Sequence, residues 1–233
     1  MRDGPSADTR SLMVTFYFTE RDTKVRVWAT EEEKRDMQRV HRKAIRQMEG
    51  LFSALGMIKR DAALEIGCGD CLVSKDFLRR YFAHIDLLDQ CEEAGKEMRS
   101  FQRSCKKVRH LFLTPMQNFS TPHRYNCIVL RYSIGYLEDD DAATFLKKLG
   151  GMLGSEKENT RAAASSSIIL IQDQVIPEDR PEFWEHNQKV RRWSSFDRII
   201  KTAGLSIVRK SALEQLDSKV WPVFAMALAP PSG

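Results

Sequence analysis

Ala62-Ala63-Leu64-Glu65-Ile66-Gly67-Cys68-Gly69-Asp70 is the stretch whose reading decides the fold. Ala62 to Ile66 is a short apolar strand closed by Gly67-Cys68-Gly69, and Asp70 to Phe82 then reads as a helix. A strand that ends in Gly-x-Gly and turns straight into a helix lets a ligand come close to the backbone. Further on, Ile85 to Leu88 is a second strand closed by Asp89, where a carboxylate can accept hydrogen bonds from both hydroxyls of a ribose. A dinucleotide site would want a third glycine soon after the second. The chain offers Asp70-Cys71-Leu72 instead, and Glu65 suits a nucleoside with an amino-acid tail better than it suits phosphates.

The rhythm on either side agrees. Upstream, Thr30 followed by Glu31, Glu32 and Glu33 opens a helix. Met37, Val40, Ala44, Met48, Leu51, Phe52 and Leu55 recur along it at helical spacing, and Gly56 stops it. Downstream come a polar helix over Glu92 to Arg103, strands at Val108 to Leu113 and Tyr125 to Leu130, and a helix from Asp140 to Met152. A strand at Ile168 to Ile171 opens on an acidic segment, Asp173 to Glu185. A helix over Ser194 to Ala203 and strands at Leu205 to Val208 and Val220 to Leu228 complete the set. The expected fold is α/β and doubly wound: a mostly parallel seven-stranded sheet with helices on both faces and an antiparallel edge pair. Residues 1–30 read as a tail with the aromatic segment Phe16-Tyr17-Phe18, residues 31–233 as one domain, and Ser155 to Ser167 as a long loop.

Composition narrows the class. With 233 residues, 42% of them hydrophobic and a net charge of +5, the chain can bury a core and is not disordered. No apolar run approaches the ~20 residues of a bilayer span, and Met1 to Arg10 lacks the character of a secretory signal. The five scattered cysteines read as reduced thiols, which suits an intracellular protein of cytoplasm or nucleus; Cys68 and Cys71 read as packing residues, and no metal set is visible. Charges of both signs are interspersed, so the sequence does not argue for nucleic acid, and Lys106, Lys107, Arg109 and Lys189 to Arg192 read as solvated faces.

Leu64 to Asp70 with Asp89 resembles the class I S-adenosyl-L-methionine-dependent methyltransferases. Met116-Gln117-Asn118-Phe119, Ile134-Gly135-Tyr136-Leu137, Arg198 to Leu205 and Val223 to Leu228 are similar to segments of the protein alpha-N-terminal methyltransferases. Those enzymes methylate the free amine of chains that begin with a small residue, then Pro, then Lys or Arg. The likeness runs from about Phe16 to Leu228. It implies cofactor contacts at Gly67 and Gly69 (amino-acid tail), Asp89 (ribose), and Met116 with Gln117 (adenine), to which the reading of the residues adds Glu65. Leu72 stands where the family has an arginine for the methionine carboxylate, and Arg131 is the cation expected to replace it.

Methyl transfer to an amine needs in-line alignment and a deprotonated nitrogen. Gln174, Tyr136 and His186 are the catalytic candidates, and Asp173 at a strand's carboxyl end also belongs to the cleft. Gln172-Asp173-Gln174 takes the place of the family's Lys-Asp-Asn, and its acidic catalytic position falls at Glu185 or His186. Glu178, Asp179, Glu182 and Glu185, with Phe183 and Trp184 among them, would make an acidic, aromatic lip for a peptide N-terminus with a basic tail. The expected function is transfer of a methyl group to a protein amine. The alternative is a catalytically inactive methyltransferase fold used as a binding or scaffold subunit.

Overall fold

Parallel pairing builds the centre of the sheet. The computed structural model describes residues 31–56, 58–154, 166–185, 187–212 and 221–231, with the backbone alone for 31–38. The tail expected over residues 1–30, most of the loop expected over 155–167, and His186 lie outside the described residues. The helices are α1 (Glu31–Ser53), α2 (Arg79–Tyr81), α3 (Glu92–Ser104), α4 (Asp139–Gly151) and α5 (Trp193–Thr202). The strands are β1 (Ala62–Ile66), β2 (His84–Asp89), β3 (Val108–Leu113), β4 (Cys127–Arg131), β5 (Ile168–Ile176), β6 (Phe183–Glu185), β7 (Gln188–Arg192), β8 (Ser206–Lys210) and β9 (Val223–Ala229).

β3, β2, β1, β4 and β5 are neighbours in that order and run parallel. β9 then pairs antiparallel with β5, and β8 antiparallel with β9. The seven expected strands are therefore all present, in the mostly parallel arrangement with its antiparallel pair. Strand alternation sends the side chains into two cores. Leu64, Ile66, Leu130, Ile169 and Ile171 pack against Phe145 and Leu146 of α4 and Phe196 and Ile199 of α5. Ala63, Val129 and Leu170 pack on the other face against Ile45, Met48 and Phe52 of α1 and Met98 and Phe101 of α3. Phe52 is also the hub of an aromatic cluster, with the rings of Phe77 and Tyr81 each 5.3 Å away, which fastens α1 beside the turn that follows β1.

Three local expectations change. The single helix expected over Asp70 to Phe82 is a π-helical turn, Ser74–Leu78, running into the short α2. The acidic segment is not all loop: β5 continues to Ile176, and β6 and β7 form an antiparallel hairpin joined to the end of β5. The basic residues are not all solvated. Arg109 forks onto the buried Asp86 through Nε and Nη2, at 3.2 and 3.1 Å. Arg191 is fully buried.

Arg191 fixes the hairpin to the β4–α4 connection. Its Nε donates to Asp139 at 3.0 Å, its other nitrogens donate to the carbonyls of Ile134 and Leu137, and its guanidinium carbon sits 6.0 Å from the Phe196 ring centre. Asp139 also accepts from Lys189 at 2.8 Å and Arg198 at 2.6 Å. Partial burial pushes the Asp139 carboxyl up, but these three partners outweigh it and hold the group at about 2 instead of its usual 3.8. A depressed carboxyl stabilises the fold above its ordinary pKa, and that contribution is lost as pH falls through 2. Asp139→Asn leaves a buried guanidinium without its anion, so it should cost about 3 kcal/mol at neutral pH, read from urea denaturation. The variant should also lose part of the wild-type's fall in stability between pH 4 and pH 2.

Candidate active site

β1 ends in a turn held from β2. Gly67 N–H and Cys68 N–H both donate to the Leu88 carbonyl, at 2.8 and 3.1 Å, and Gly69 N–H donates to Asp89 Oδ2 at 2.9 Å. The other Asp89 oxygen accepts from Cys91 N–H at 2.9 Å. Gly67, Gly69 and Cys71 have φ of 65°, 50° and 60°, the left-handed region that glycine enters without strain. A Cβ on Gly67 would stand 2.8 Å from Ser133 Cβ, so the turn lies hard against the segment after β4. Cys68 and Cys71 are buried, in keeping with a packing role. Each Asp89 oxygen keeps a second lone pair beyond its backbone bond, which is what a ribose diol requires.

Glu65 stands one residue before the end of β1. It is 3% exposed, and its Oε2 accepts from Ser74 N–H at 3.0 Å, tying the π-helical turn to the end of β1. Burial raises its carboxyl to about 8, against the opposing pull of the Ser74 hydrogen bonds. Met116 and Gln117 form a 3₁₀ turn after β3, with Met116 packed on the core and Gln117 exposed.

At the ends of β4 and β5 the polar residues divide between the two faces of the sheet. Alternation places Arg131, Gln172 and Gln174 on the α1 face. Arg131 Nε donates to Gln172 Oε1 at 3.2 Å, and Gln172 Nε2 donates to the Ala44 carbonyl and to Gln47 Oε1 of α1, at 2.6 and 3.0 Å. On the other face stand Asp173 and Tyr136. Asp173 is half-buried, and desolvation pushes its carboxyl up to about 7 despite the Gln174 N–H it accepts at 2.8 Å and the charge of Arg191. The Tyr136 hydroxyl is raised by burial and also by the negative charges of Asp89 and Asp173. Gln188 of β7 supports this arrangement by donating to the Tyr132 carbonyl at 2.6 Å.

The hairpin register sorts the acidic residues. Glu185 pairs with Gln188 and so shares the hairpin face that Gln188 turns toward Tyr132, whereas Trp184 pairs with Lys189 on the opposite face. Glu178 accepts from Ser194 N–H and Oγ–H, at 2.9 and 2.6 Å, at the start of α5. Glu182 accepts from Arg192 N–H at 2.9 Å. Asp179 is exposed.

One buried polar residue beside these groups escapes sequence reading altogether. His41 of α1 is 6% exposed, and its only sequence signal is a place on a face where the pattern calls for an apolar residue. The buried polar atoms without a hydrogen-bond partner among the described residues include His41 Nε2, Arg131 Nη2, Ser133 Oγ and Gln174 Oε1. Their residues lie on α1, at the ends of β4 and β5, and just past β4, where Ser133 stands against Gly67. An orphaned buried group costs about 1–3 kcal/mol, and a bound polar ligand removes that cost. A glycine cradle, a carboxylate with free lone pairs and orphaned donors and acceptors fit a nucleoside that carries a charged tail.

Such a crevice at the carboxyl edge of this sheet defines a methyltransferase fold. The structure superposes on a SAM-dependent methyltransferase from Leishmania major with a TM-score of 0.72 at 22% identity, covering 82% of this chain and 74% of that one. It superposes on the N-methyltransferase NodS from Bradyrhizobium japonicum, in complex with S-adenosyl-l-homocysteine, with a TM-score of 0.62 at 15% identity, covering 88% and 94%. The model of the AdoMet-dependent proline di-methyltransferase family matches residues 35–229, and the chain belongs to that family, whose cofactor is S-adenosylmethionine. Among its relatives are the N-terminal Xaa-Pro-Lys N-methyltransferases 1 of Bos taurus and Homo sapiens, each 27% identical over 168 residues that cover 71% of either chain.

The raised Glu65 carboxyl has a measurable consequence. Such a group favours the fold fully below its usual pKa of about 4.5, and that contribution is lost as pH rises through 8. Glu65→Gln keeps an acceptor for Ser74 and carries no charge. Its stability should match or exceed the wild type at pH 7. Between pH 5 and 8 it should lack a slope of up to about 1.4 kcal/mol per pH unit, measured by denaturation at each pH.

Proposed function

We propose that the protein transfers a methyl group from S-adenosylmethionine to a protein amine, the α-amino group of a chain beginning X-Pro-Lys or X-Pro-Arg. The observation that carries this reading is the set of orphaned polar atoms around a glycine turn and a ribose-ready carboxylate, in a chain of this family. The relatives named for N-terminal Xaa-Pro-Lys substrates support the acceptor.

When bound, S-adenosylmethionine supplies an electrophilic methyl group on a sulfonium. The chain's own residues do the rest. The Gly67–Gly69 backbone admits the tail without a Cβ in the way. Asp89 takes the ribose hydroxyls with the lone pairs left over from Gly69 and Cys91. Met116 offers an apolar surface to the adenine, and Gln117 a polar edge. On the hairpin side, Tyr136, Asp173 and Glu185 line the approach of the amine. Asp173, with its carboxyl near 7, is ionised over the upper part of the physiological range and attracts a cationic N-terminus. The amide oxygen of Gln174, expected to hold the amine, lies on the α1 face, away from the side on which the amine would enter. No other base is needed, because an α-amine, with its usual pKa near 8, is partly neutral at physiological pH. With Glu178 and Glu182 engaged elsewhere, the exposed Asp179 is left to attract the basic third residue.

Two measurements test the reading. Asp89→Ala should weaken binding of S-adenosylhomocysteine by roughly tenfold to a hundredfold in calorimetry. It should also lower the melting temperature, because two backbone N–H groups lose their acceptor. A peptide beginning Ser-Pro-Lys should gain methyl groups faster than one beginning Ser-Pro-Glu by mass spectrometry, and added salt should narrow the gap, since exposed pairs contribute at most about 1 kcal/mol each and are screened. If S-adenosylhomocysteine binds but neither peptide is methylated, the protein is a cofactor-binding scaffold and the acceptor reading falls.

A further inference from the structure

We propose that helix α1 is part of the cofactor seat: Arg131 Nη2 and His41 Nε2 together hold the zwitterionic amino-acid end of S-adenosylmethionine. The inference rests on the cofactor reading above and adds the residues that distinguish the whole cofactor from its nucleoside part.

Arg131 is fixed in place with one nitrogen left over. Its Nε is bound to Gln172 Oε1 at 3.2 Å, and Gln172 is itself anchored to α1 through Ala44 and Gln47. The guanidinium carbon lies 4.6 Å from the Tyr132 ring centre. Nη2 is buried and has no partner among the described residues. Strand register places it beside the end of β1, since Ile66 pairs with Leu130 and Arg131 follows, and its charge is felt by His41, Glu65 and Asp70. A guanidinium held this way presents an N–H donor, to which a carboxylate is the strongest complement.

His41 precedes Ala44 by three residues, so both lie on the face of α1 turned to the sheet. Its Nε2 is the second orphaned atom on this side. Burial, reinforced by the charge of Arg131, pushes the imidazole down to about 3, so it is neutral at physiological pH and does not repel the guanidinium. A neutral imidazole protonated on Nδ1 offers Nε2 as an acceptor. Arg131 supplies only donors and His41 then supplies only an acceptor. An amino-acid end needs just that pair, a donor for its carboxylate and an acceptor for its ammonium. Leu72, half-buried against the α1-side core, supplies neither.

The test uses the full chain, two ligands and two variants. S-adenosylhomocysteine carries the amino-acid end; 5′-methylthioadenosine has the same nucleoside and sulfur without it. In calorimetry the wild type should bind S-adenosylhomocysteine much more tightly than methylthioadenosine. Arg131→Met should weaken S-adenosylhomocysteine by roughly tenfold to a hundredfold, and His41→Leu by several-fold, while methylthioadenosine changes by less than about twofold in both. Unchanged methylthioadenosine binding also shows that each variant is folded. Equal losses for the two ligands, or a wild type that does not favour S-adenosylhomocysteine, would overturn the seat and leave the cofactor assignment standing. A wild type that binds neither ligand overturns the cofactor reading, and the seat with it.

Discussion

The site depends on how the end of β1 is suspended from β2. Three consecutive N–H groups, of Gly67, Cys68 and Gly69, are satisfied by Leu88 and Asp89, so the turn cannot move without breaking bonds to its neighbouring strand. Two consequences follow from that suspension. It requires left-handed backbone at Gly67 and Gly69, and it presses Gly67 against Ser133 so closely that a single added carbon does not fit. It also spends one lone pair on each Asp89 oxygen, leaving the others directed into the crevice. The same carboxylate thus shapes the turn and serves as the expected ribose ligand, which is why its removal acts on stability as well as affinity.

The opposite wall is braced by charge in place of backbone. Arg191 is buried among the carbonyls that end the β4–α4 connection, and Asp139 neutralises it together with Lys189 and Arg198. A buried ion network of this kind is a poor source of net stability, since desolvation consumes most of the attraction. What it provides is position. It holds the β6–β7 hairpin, which carries Gln188 and Glu185, against the short turn that carries Tyr136.

Most of the fold was legible because strand termini in parallel sheets are punctuated by residues with one physical reason to be there. Gly67, Gly69 and Asp89 marked the first two strand ends, and all seven expected strands occur. The hairpin was not legible: Phe183 to Arg192 shows no clean apolar–polar alternation, and Lys189 and Arg191 are satisfied by Asp139, distant in sequence. Arg109 and Arg191 read as solvated for the same reason, because pairing with a buried acid leaves no local pattern. Glu65 was legible as a chemically marked residue, but its direction was set by strand alternation and by the Ser74 N–H, which spacing alone does not show. His41 was hidden within an apolar face, where a neutral imidazole substitutes for a hydrophobic side chain until the end of β4 is known to carry an arginine.

The division of polar groups by strand parity explains how one crevice can take two ligands. Residues 131, 172 and 174 share the α1 face, while Asp173, between Gln172 and Gln174, turns to the face of Tyr136 and the hairpin. A cofactor tail gripped from the α1 side and an acceptor amine entering from the hairpin side would then meet across the rim of the sheet, at the ends of β4 and β5. The separation also keeps charges apart. Arg131 stands on one face and the Asp173 carboxyl on the other, so a cationic amine approaching Asp173 is not opposed at close range by the guanidinium. In-line transfer requires the donor and the acceptor to approach from opposite directions. On the proposed reading, a rim one residue thick, with alternate side chains assigned to alternate partners, would favour that geometry through the pleat of β4 and β5.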